Sequence, residues 1–288
     1  MPTIRDTASE DGWALVSVLY VVAMLAMMAA AVQALLLTSA QLDRRVWDAT
    51  RIDAVLDAAV LRAVAGVGDA RPSARWRVNG AEEHFVYAGL SVTVRVQDQL
   101  GLIDLNAADG SMLTRLLQSV ELSEENAKSL TTRILDWRGK ASDENEARDA
   151  DYKTSGRPYR SRHGAFQSVA EVELVLGMTP ALYARLAPAL TVYSGHPAFE
   201  QTTAPEAVLR ALYLDKPEEV TRILTERQQA ETNQLGSRTG TLSVTQGLAG
   251  RALSIDASTK VDGRTFKRRA VVILTDDAKK PYLTLAWQ

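Results

Sequence analysis

The sequence predicts an α+β fold, in which a long N-terminal helix, half of it transmembrane, packs on an antiparallel β-sheet that carries a large all-α insertion. Three observations lead to this prediction. Residues 13–37 are almost entirely apolar, two blocks rich in β-forming residues lie at 76–97 and 252–287, and short amphipathic patterns separated by Gly and Pro fill the chain between them. Neither β block is a full sheet, so the two together would bury their apolar faces as one.

The N-terminal segment has the length of a membrane helix. No charged side chain occurs from Gly12 to Leu42, and the 25 residues of 13–37 reach about 38 Å as a helix, enough to cross a hydrocarbon core of about 30 Å. Helical spacing of apolar residues continues through Ile52, Val55 and beyond. The run is too long for a cleaved secretory signal, which also needs a basic start. A plain signal anchor and a leader ending at Gly12 both stay open.

The β blocks contain clear strand and turn signals. Val92, Val94 and Val96 alternate with polar residues, which is typical of a strand with one buried face. Asn79-Gly80 predicts a hairpin turn in the first block, and Asp262-Gly263 predicts another in the second.

The middle of the chain reads as short helices. Ser123 would cap a helix over 124–137, Ser168 with Glu171 forms a capping-box pattern for another, and Pro180 fits the first turn of a third. Tight Gly and Pro turns between them favour two small helical bundles.

Composition and motifs exclude several classes. The formal net charge is −2, which argues against a dedicated nucleic-acid binder. The chain has no cysteine and three widely spaced histidines, so thiolate chemistry is excluded and a histidine zinc site is not expected. No nucleophile elbow, Walker loop or dinucleotide fingerprint occurs, so we do not expect an enzyme.

A short leader ending in Gly12, then apolar Trp13 and a long half-embedded helix, resembles a type IV pilin or type II secretion pseudopilin. The resemblance implies that a prepilin peptidase cuts between Gly12 and Trp13 and that Trp13 becomes N-methylated. It also implies a single pass through the inner membrane with the C-terminal part in the periplasm. Most members carry glutamate at the fifth mature position, where this chain has Ser17. Within the resembling family, the subunit that caps the filament tip is the one known to lack this carboxylate, which is costly inside a membrane.

A series of motifs in the insertion resembles general secretion pathway protein K. Their order along the chain, rather than any one of them, carries the resemblance: Leu105-Asn106-Ala107-Ala108, Asp136-Trp137, Tyr152, Arg157-Pro158-Tyr159-Arg160, Ser168-Val169-Ala170-Glu171-Val172, Gly177-Met178 and Thr202-Thr203-Ala204-Pro205. The resemblance implies a pseudopilin fold with an insertion of two SAM-like subdomains. Its partners would be the I- and J-type minor pseudopilins and other pseudopilins.

The resemblance divides the chain into six parts. These are a leader at 1–12, a transmembrane and assembly helix at 13–38, the soluble helix half with the first β block at 39–105, helical subdomains at 106–197 and 198–238, and a final β block at 239–288. The implied function is a structural minor pseudopilin at the tip of the type II secretion pseudopilus. The alternative is a membrane-anchored periplasmic protein whose helix-hairpin-helix-like domain binds DNA or another protein.

An acidic segment at 143–151 raises the question of a metal. The resemblance implies calcium in this part, and its candidate ligands are Asp143, Glu146, Asp149 and Asp151. Where the family has Gly-Ala-Glu, this chain has Glu146-Ala147-Arg148, so a cation stands at a ligand position. The alternative is a solvated acidic loop paired with Arg148 and Arg138. No other cofactor is expected.

Overall fold

The computed structural model describes residues 10–69, 71, 74–140, 142–236, 247–277 and 279–288. The chain divides into two units, residues 1–54 and 55–288. The helices are α1 (Glu10–Val67), α2 (Gly110–Ser119), α3 (Glu124–Arg138), α4 (Asp143–Arg148), α5 (Ala150–Thr154), α6 (Pro180–Leu186), α7 (Glu206–Leu212) and α8 (Pro217–Gly236). The strands are β1 (Asn79–Tyr87), β2 (Leu90–Asp98), β3 (Ile103–Asp104), β4 (Leu190–Thr191), β5 (Ala252–Val261), β6 (Arg264–Leu274) and β7 (Tyr282–Trp287).

The N-terminal unit contains the apolar part of α1. Within the described residues, Leu15–Gln33 is the helical stretch long and apolar enough to span a membrane, and none of it is buried by protein. Trp13 at its start is 81% exposed. A helix that is apolar all round needs an apolar environment, so this stretch fits a single-pass membrane anchor.

The two β blocks form one five-stranded antiparallel sheet in the order β1-β2-β5-β6-β7. The central pairing joins β2 to β5, with Val94 opposite Ala257. Val92, Val94 and Val96 are buried while Arg95 is exposed, as the alternation predicts. The predicted sheet is therefore confirmed.

In the second unit, the last turns of α1 supply the helix layer that the sheet needs. Their buried side chains are Val55, Leu56, Ala59, Val60, Ala63, Val64 and Val67. Asp57 Oδ1 of α1 lies 2.9 Å from Arg268 Nε of β6, and the Arg62 guanidinium lies 4.2 Å above the Phe85 ring of β1. The helix thus contacts the sheet at both β1 and β6.

One predicted turn is wrong and one is confirmed. Asn79 and Gly80 lie inside β1, where the register shifts between Asn79 and Glu82 and Gly80 has φ +80°. The positive φ of Gly80 is part of a β-bulge rather than of a hairpin turn, since both features use a glycine in the left-handed region. The actual turn is Ala88–Gly89 (φ 48° and 78°), whereas Asp262–Gly263 (φ 49° and 78°) does join β5 to β6.

The helical insertion leaves the sheet after β2 and returns at β5. Near its start and after α6, the short strands β3 and β4 pair in parallel, with Ile103 opposite Leu190. Ser123 caps α3 through Asn126 N, as predicted. The helices share one continuous apolar core that runs from Leu102 to Ile223 and includes Trp137 and Phe166.

Buried polar side chains join the insertion to the sheet. Gln99 Nε2 donates to Ser254 Oγ of β5 at 2.9 Å, while Gln99 Oε1 accepts from Thr191 Oγ1 of β4 at 2.7 Å. Gln97 Nε2 of β2 donates to the Thr203 carbonyl at 2.9 Å. Since buried amides are costly unless bonded, this network ties the insertion to the sheet.

A buried ion pair lies at the same junction. Asp98 is fully buried at the end of β2, and its Oδ2 lies 3.0 Å from Arg251 Nε, just before β5. Burial raises the pKa of Asp98, against the lowering effects of the Leu100 N–H and Arg251. Arg251 also pairs with Glu200 of the insertion, so one guanidinium contacts both parts.

A substitution at Gly101 can test this junction. A Cβ on Gly101 would lie 2.6 Å from the Thr203 carbonyl carbon and oxygen, which are backbone atoms that cannot rotate away. We expect Gly101→Ala to lower the free energy of unfolding by about 1–3 kcal/mol, as overpacking does. Thermal unfolding of the full chain in detergent, followed by circular dichroism, measures the effect.

Gly164→Ala is the matched control, because its Cβ would meet nothing closer than 4.0 Å. Equal stability of the two variants would show that the close approach at Gly101 is absent.

Candidate functional site

The acidic segment predicted as a loop is helical. Asp143 lies in α4, Asp149 occupies the N-cap of α5, and Asp151 lies in its first turn. The prediction of a loop is wrong because Gly and Pro, the usual loop residues, are missing here and Glu, Ala and Arg all favour a helix. The side chain of Glu146 lies outside the described residues.

Arg148 at the end of α4 binds a carboxylate of α3 side-on. Its Nε lies 2.6 Å from Asp136 Oδ2 and its Nη2 lies 2.7 Å from Asp136 Oδ1. Glu144 Oε1, one turn back, is 3.4 Å from Nη1. The Asp136 hydrogen bond raises the pKa of Arg148, so this side chain stays charged. The predicted pairing of Arg148 with a carboxylate is confirmed, and the main partner is on α3.

Arg138 does not pair with the acidic segment, contrary to the prediction. Its Nη1 donates to the Leu105 carbonyl at 2.7 Å and its Nη2 donates to the Ala108 carbonyl at 2.6 Å. Burial lowers the pKa of Arg138, and nearby Asp104 and Asp109 oppose that shift. The guanidinium therefore holds the turn that follows β3.

Asn106, in the same turn, holds the far side of the insertion. Its Oδ1 accepts from Phe166 N at 2.7 Å and its Nδ2 donates to Phe166 O at 3.0 Å. The Phe166 ring stacks on Trp137 at 6.2 Å between ring centres. The motif at 105–108 is thus a structural clamp between β3, α3 and the loop at 161–168.

Glu171 serves this clamp too. It accepts from Trp137 Nε1 at 3.0 Å, Arg162 Nη1 at 2.9 Å and Gln167 N at 2.8 Å. The predicted capping box is wrong: Ser168 makes no side-chain cap, and Val169–Leu174 is a 3₁₀ helix. Burial raises the pKa of Glu171, but its hydrogen bonds to Arg162, Gln167 and Trp137 outweigh burial and leave the pKa below its usual value.

His163 lies in the loop, as predicted, and faces the acidic segment. Its Nε2 lies 2.9 Å from Asp149 Oδ2, and the two side chains are 9% and 12% exposed. Its backbone has φ +50°. The pair closes the space between α5 and the loop at 161–168 rather than facing solvent.

The described side chains do not fit calcium. Calcium takes six to eight oxygens, mostly from converging carboxylates and carbonyls. No three Asp, Glu or His side chains in the described part of the chain converge in this way. Asp143 is exposed, and Asp149 bonds to His163. The calcium ligand set therefore stays a prediction that these side chains do not support.

The predicted processing residues lie in α1. Because α1 begins at Glu10, Gly12 and Trp13 are helical, and Ser17 lies one turn further on in the exposed apolar stretch. Residues 1–9 of the predicted leader lie outside the described part. Cleavage after Gly12 and methylation of Trp13 stay predictions.

Three comparisons show which known proteins this chain resembles. Residues 97–195 match the family model described as type II secretion system protein K. A stretch of 123 residues is 35% identical to the type II secretion system protein K of Aeromonas hydrophila, covering 40% of this chain and 37% of that protein. The GspK–GspI–GspJ complex of enterotoxigenic Escherichia coli matches with a TM-score of 0.56 at 13% identity, over 85% of this chain and 98% of the matched one.

The sheet, the helix layer and the clamped insertion define a protein with the pseudopilin fold. The family model and the curated relative both carry the description type II secretion system protein K, and the solved structure shares the fold, so the resemblance found in the sequence is confirmed.

We expect Asn106→Ala to lower the free energy of unfolding by about 1–3 kcal/mol, because Phe166 N and O lose their partner in a half-buried place. Thermal unfolding of the full chain measures it. Asn126→Ala, at an exposed position of α3, is the control and should change the free energy of unfolding little. Equal losses from both would contradict the clamp.

Acid should weaken the Trp137–Glu171 contact. Since the folded pKa of Glu171 lies below its unfolded value near 4.5, its contribution is present above pH 4.5 and is lost as pH falls through the folded pKa. Unfolding temperatures between pH 3 and 7 should therefore fall less steeply below 4.5 in Glu171→Gln than in the parent. Parallel curves would rule out this role for Glu171.

Proposed function

We propose that this protein is a minor pseudopilin at the tip of the type II secretion pseudopilus and supports protein secretion across the outer membrane. The observation that carries the proposal is the protein K domain at residues 97–195, set into a pseudopilin sheet. The whole function is inferred, because the matched stretch covers 37% of the curated relative.

The N-terminal segment would serve both as membrane anchor and as packing surface. Prepilin peptidase would cut between Gly12 and Trp13 and methylate Trp13 at the inner membrane, leaving the rest of the chain in the periplasm. The exposed apolar side chains of Leu15–Gln33 support this role, since they can meet lipid before assembly and neighbouring helices after it. With Ser17 in place of a carboxylate, the apolar stretch of the helix carries no charge that a subunit above would have to neutralise.

The insertion would form a wide head made of two SAM-like subdomains, at 106–197 and 198–238. Such a head would obstruct another subunit from stacking above it. The solved relative was crystallised with GspI and GspJ, so the I- and J-type minor pseudopilins are the proposed partners here, beside the other pseudopilins.

Catalysis is not part of the proposal. Several polar side chains of the insertion have structural roles. Arg138 and Asn106 bind backbone groups of loops, and His163 bonds to Asp149. DNA binding by the insertion has less support, because three arginines of its described part, Arg148, Arg162 and Arg185, pair with carboxylates.

Intact-mass analysis tests the processing. Co-expression with prepilin peptidase should yield a chain that begins at Trp13 and carries one added methyl group. Co-expression with an inactive peptidase, and a Gly12→Val variant with the active enzyme, should both leave the chain uncut. An uncut parent chain would contradict the proposed class.

Complex formation tests the partners. We expect the full chain in detergent to co-purify with the I- and J-type minor pseudopilins as a stable complex at micromolar concentration. A chain that binds DNA with strong salt dependence, and neither pseudopilin, would favour the alternative function.

A further inference from the structure

The guanidinium of Arg148 ties the acidic segment to α3, a role that a bound metal ion could also fill. The link consists of the side-on pair of Arg148 with both oxygens of Asp136, at 2.6 and 2.7 Å, and the weaker contact with Glu144. Asp136 is 15% exposed and Arg148 is 38% exposed, so water screens the pair only in part. This contact joins two helices that the chain otherwise connects through residues 139–142.

The space around this pair is polar, and most of its carboxylates already have a protein partner. A small cavity between the two helices and the loop has a lining that includes Arg133, Asp136, Arg148, Asp149, Asp151 and Tyr152. Asp149 bonds to His163, and Arg133 Nη1 donates to the Leu176 carbonyl at 3.2 Å. Of the three carboxylates in this lining, two therefore have a protein partner, and two arginines stand beside them.

Electrostatics make a divalent ion unfavourable in this place. An ion that took both oxygens of Asp136 would compete for the lone pairs that Arg148 uses, within a few ångströms of its charge. Calcium would also need further oxygens, and Asp149 already shares its Oδ2 with His163. An arginine fork satisfies a single carboxylate with two hydrogen bonds and needs no further ligands.

We infer that Arg148 takes the structural place of a divalent cation in this chain, and that its helical insertion folds and stays folded without calcium. The inference concerns the stability of the insertion and holds whether or not the chain acts in secretion.

The experiment is thermal unfolding of the full chain in detergent, with millimolar EDTA and with millimolar calcium. The parent chain should have the same midpoint in both. Arg148→Gln should lower the midpoint in EDTA by about 2–6 °C, because it leaves Asp136 without its charged partner. The matched control, Arg160→Gln, removes an exposed arginine from the neighbouring loop and should leave the midpoint within about 1 °C.

A second variant keeps the test decisive if loss of the pair proves mild. Arg148→Glu places a second carboxylate beside Asp136. The unfolding midpoint of this variant should therefore fall in EDTA, where the two charges repel, and rise again by about 2 °C or more in calcium, which can bind both. Arg160→Glu should show no such response. The inference is overturned if calcium raises the midpoint of the parent chain, if Arg148→Gln is as stable as Arg160→Gln, or if calcium leaves Arg148→Glu unchanged.

Discussion

The pairing of β2 with β5 is the constraint on which the second unit depends. It joins two strands between which the whole helical insertion lies, and the Gln99–Ser254 hydrogen bond beside it links residues 155 positions apart. Closing so long a loop costs conformational entropy, but the cost grows only slowly with loop length. The buried valines of β2 and the polar network around Gln99 offset that cost. The insertion can therefore be large without weakening the sheet.

The motifs of the insertion act as clamps in this arrangement. Asn106 and Arg138 hold the start of the insertion against its middle, and Arg251, which pairs with both Asp98 and Glu200, holds the insertion against the sheet. Each clamp joins a side chain to backbone or to an opposite charge far away in sequence.

Features with a local signal could be predicted from the sequence. The alternation of Val92, Val94 and Val96 identified β2, and the split of the β residues into two blocks identified one sheet with an insertion. Local signals with two physical uses led to errors. Gly80 has the positive φ of a turn residue and uses it in a bulge, and Glu171 has the spacing of a capping box but bonds to Trp137, 34 positions away.

The candidate metal site shows the same limit. Carboxylate spacing near 143–151 suggested ligands, yet helix formation spread them around two short helices, and the decisive contact, Arg148 with Asp136, crosses 12 positions. Arg138 likewise reaches carbonyls that no sequence pattern points to. The available signal was Arg148 inside the acidic segment, since a cation there can neutralise the neighbouring carboxylates.

Hydrogen exchange on the full chain tests the central claim, that the two β blocks are one sheet closed across the insertion. The amides of residues 92–98 and 253–259 should exchange slowly and together, with the same response to added denaturant, because opening either strand breaks the same ladder. Slow exchange in one of these strands with fast exchange in the other, or separate denaturant responses, would contradict the account.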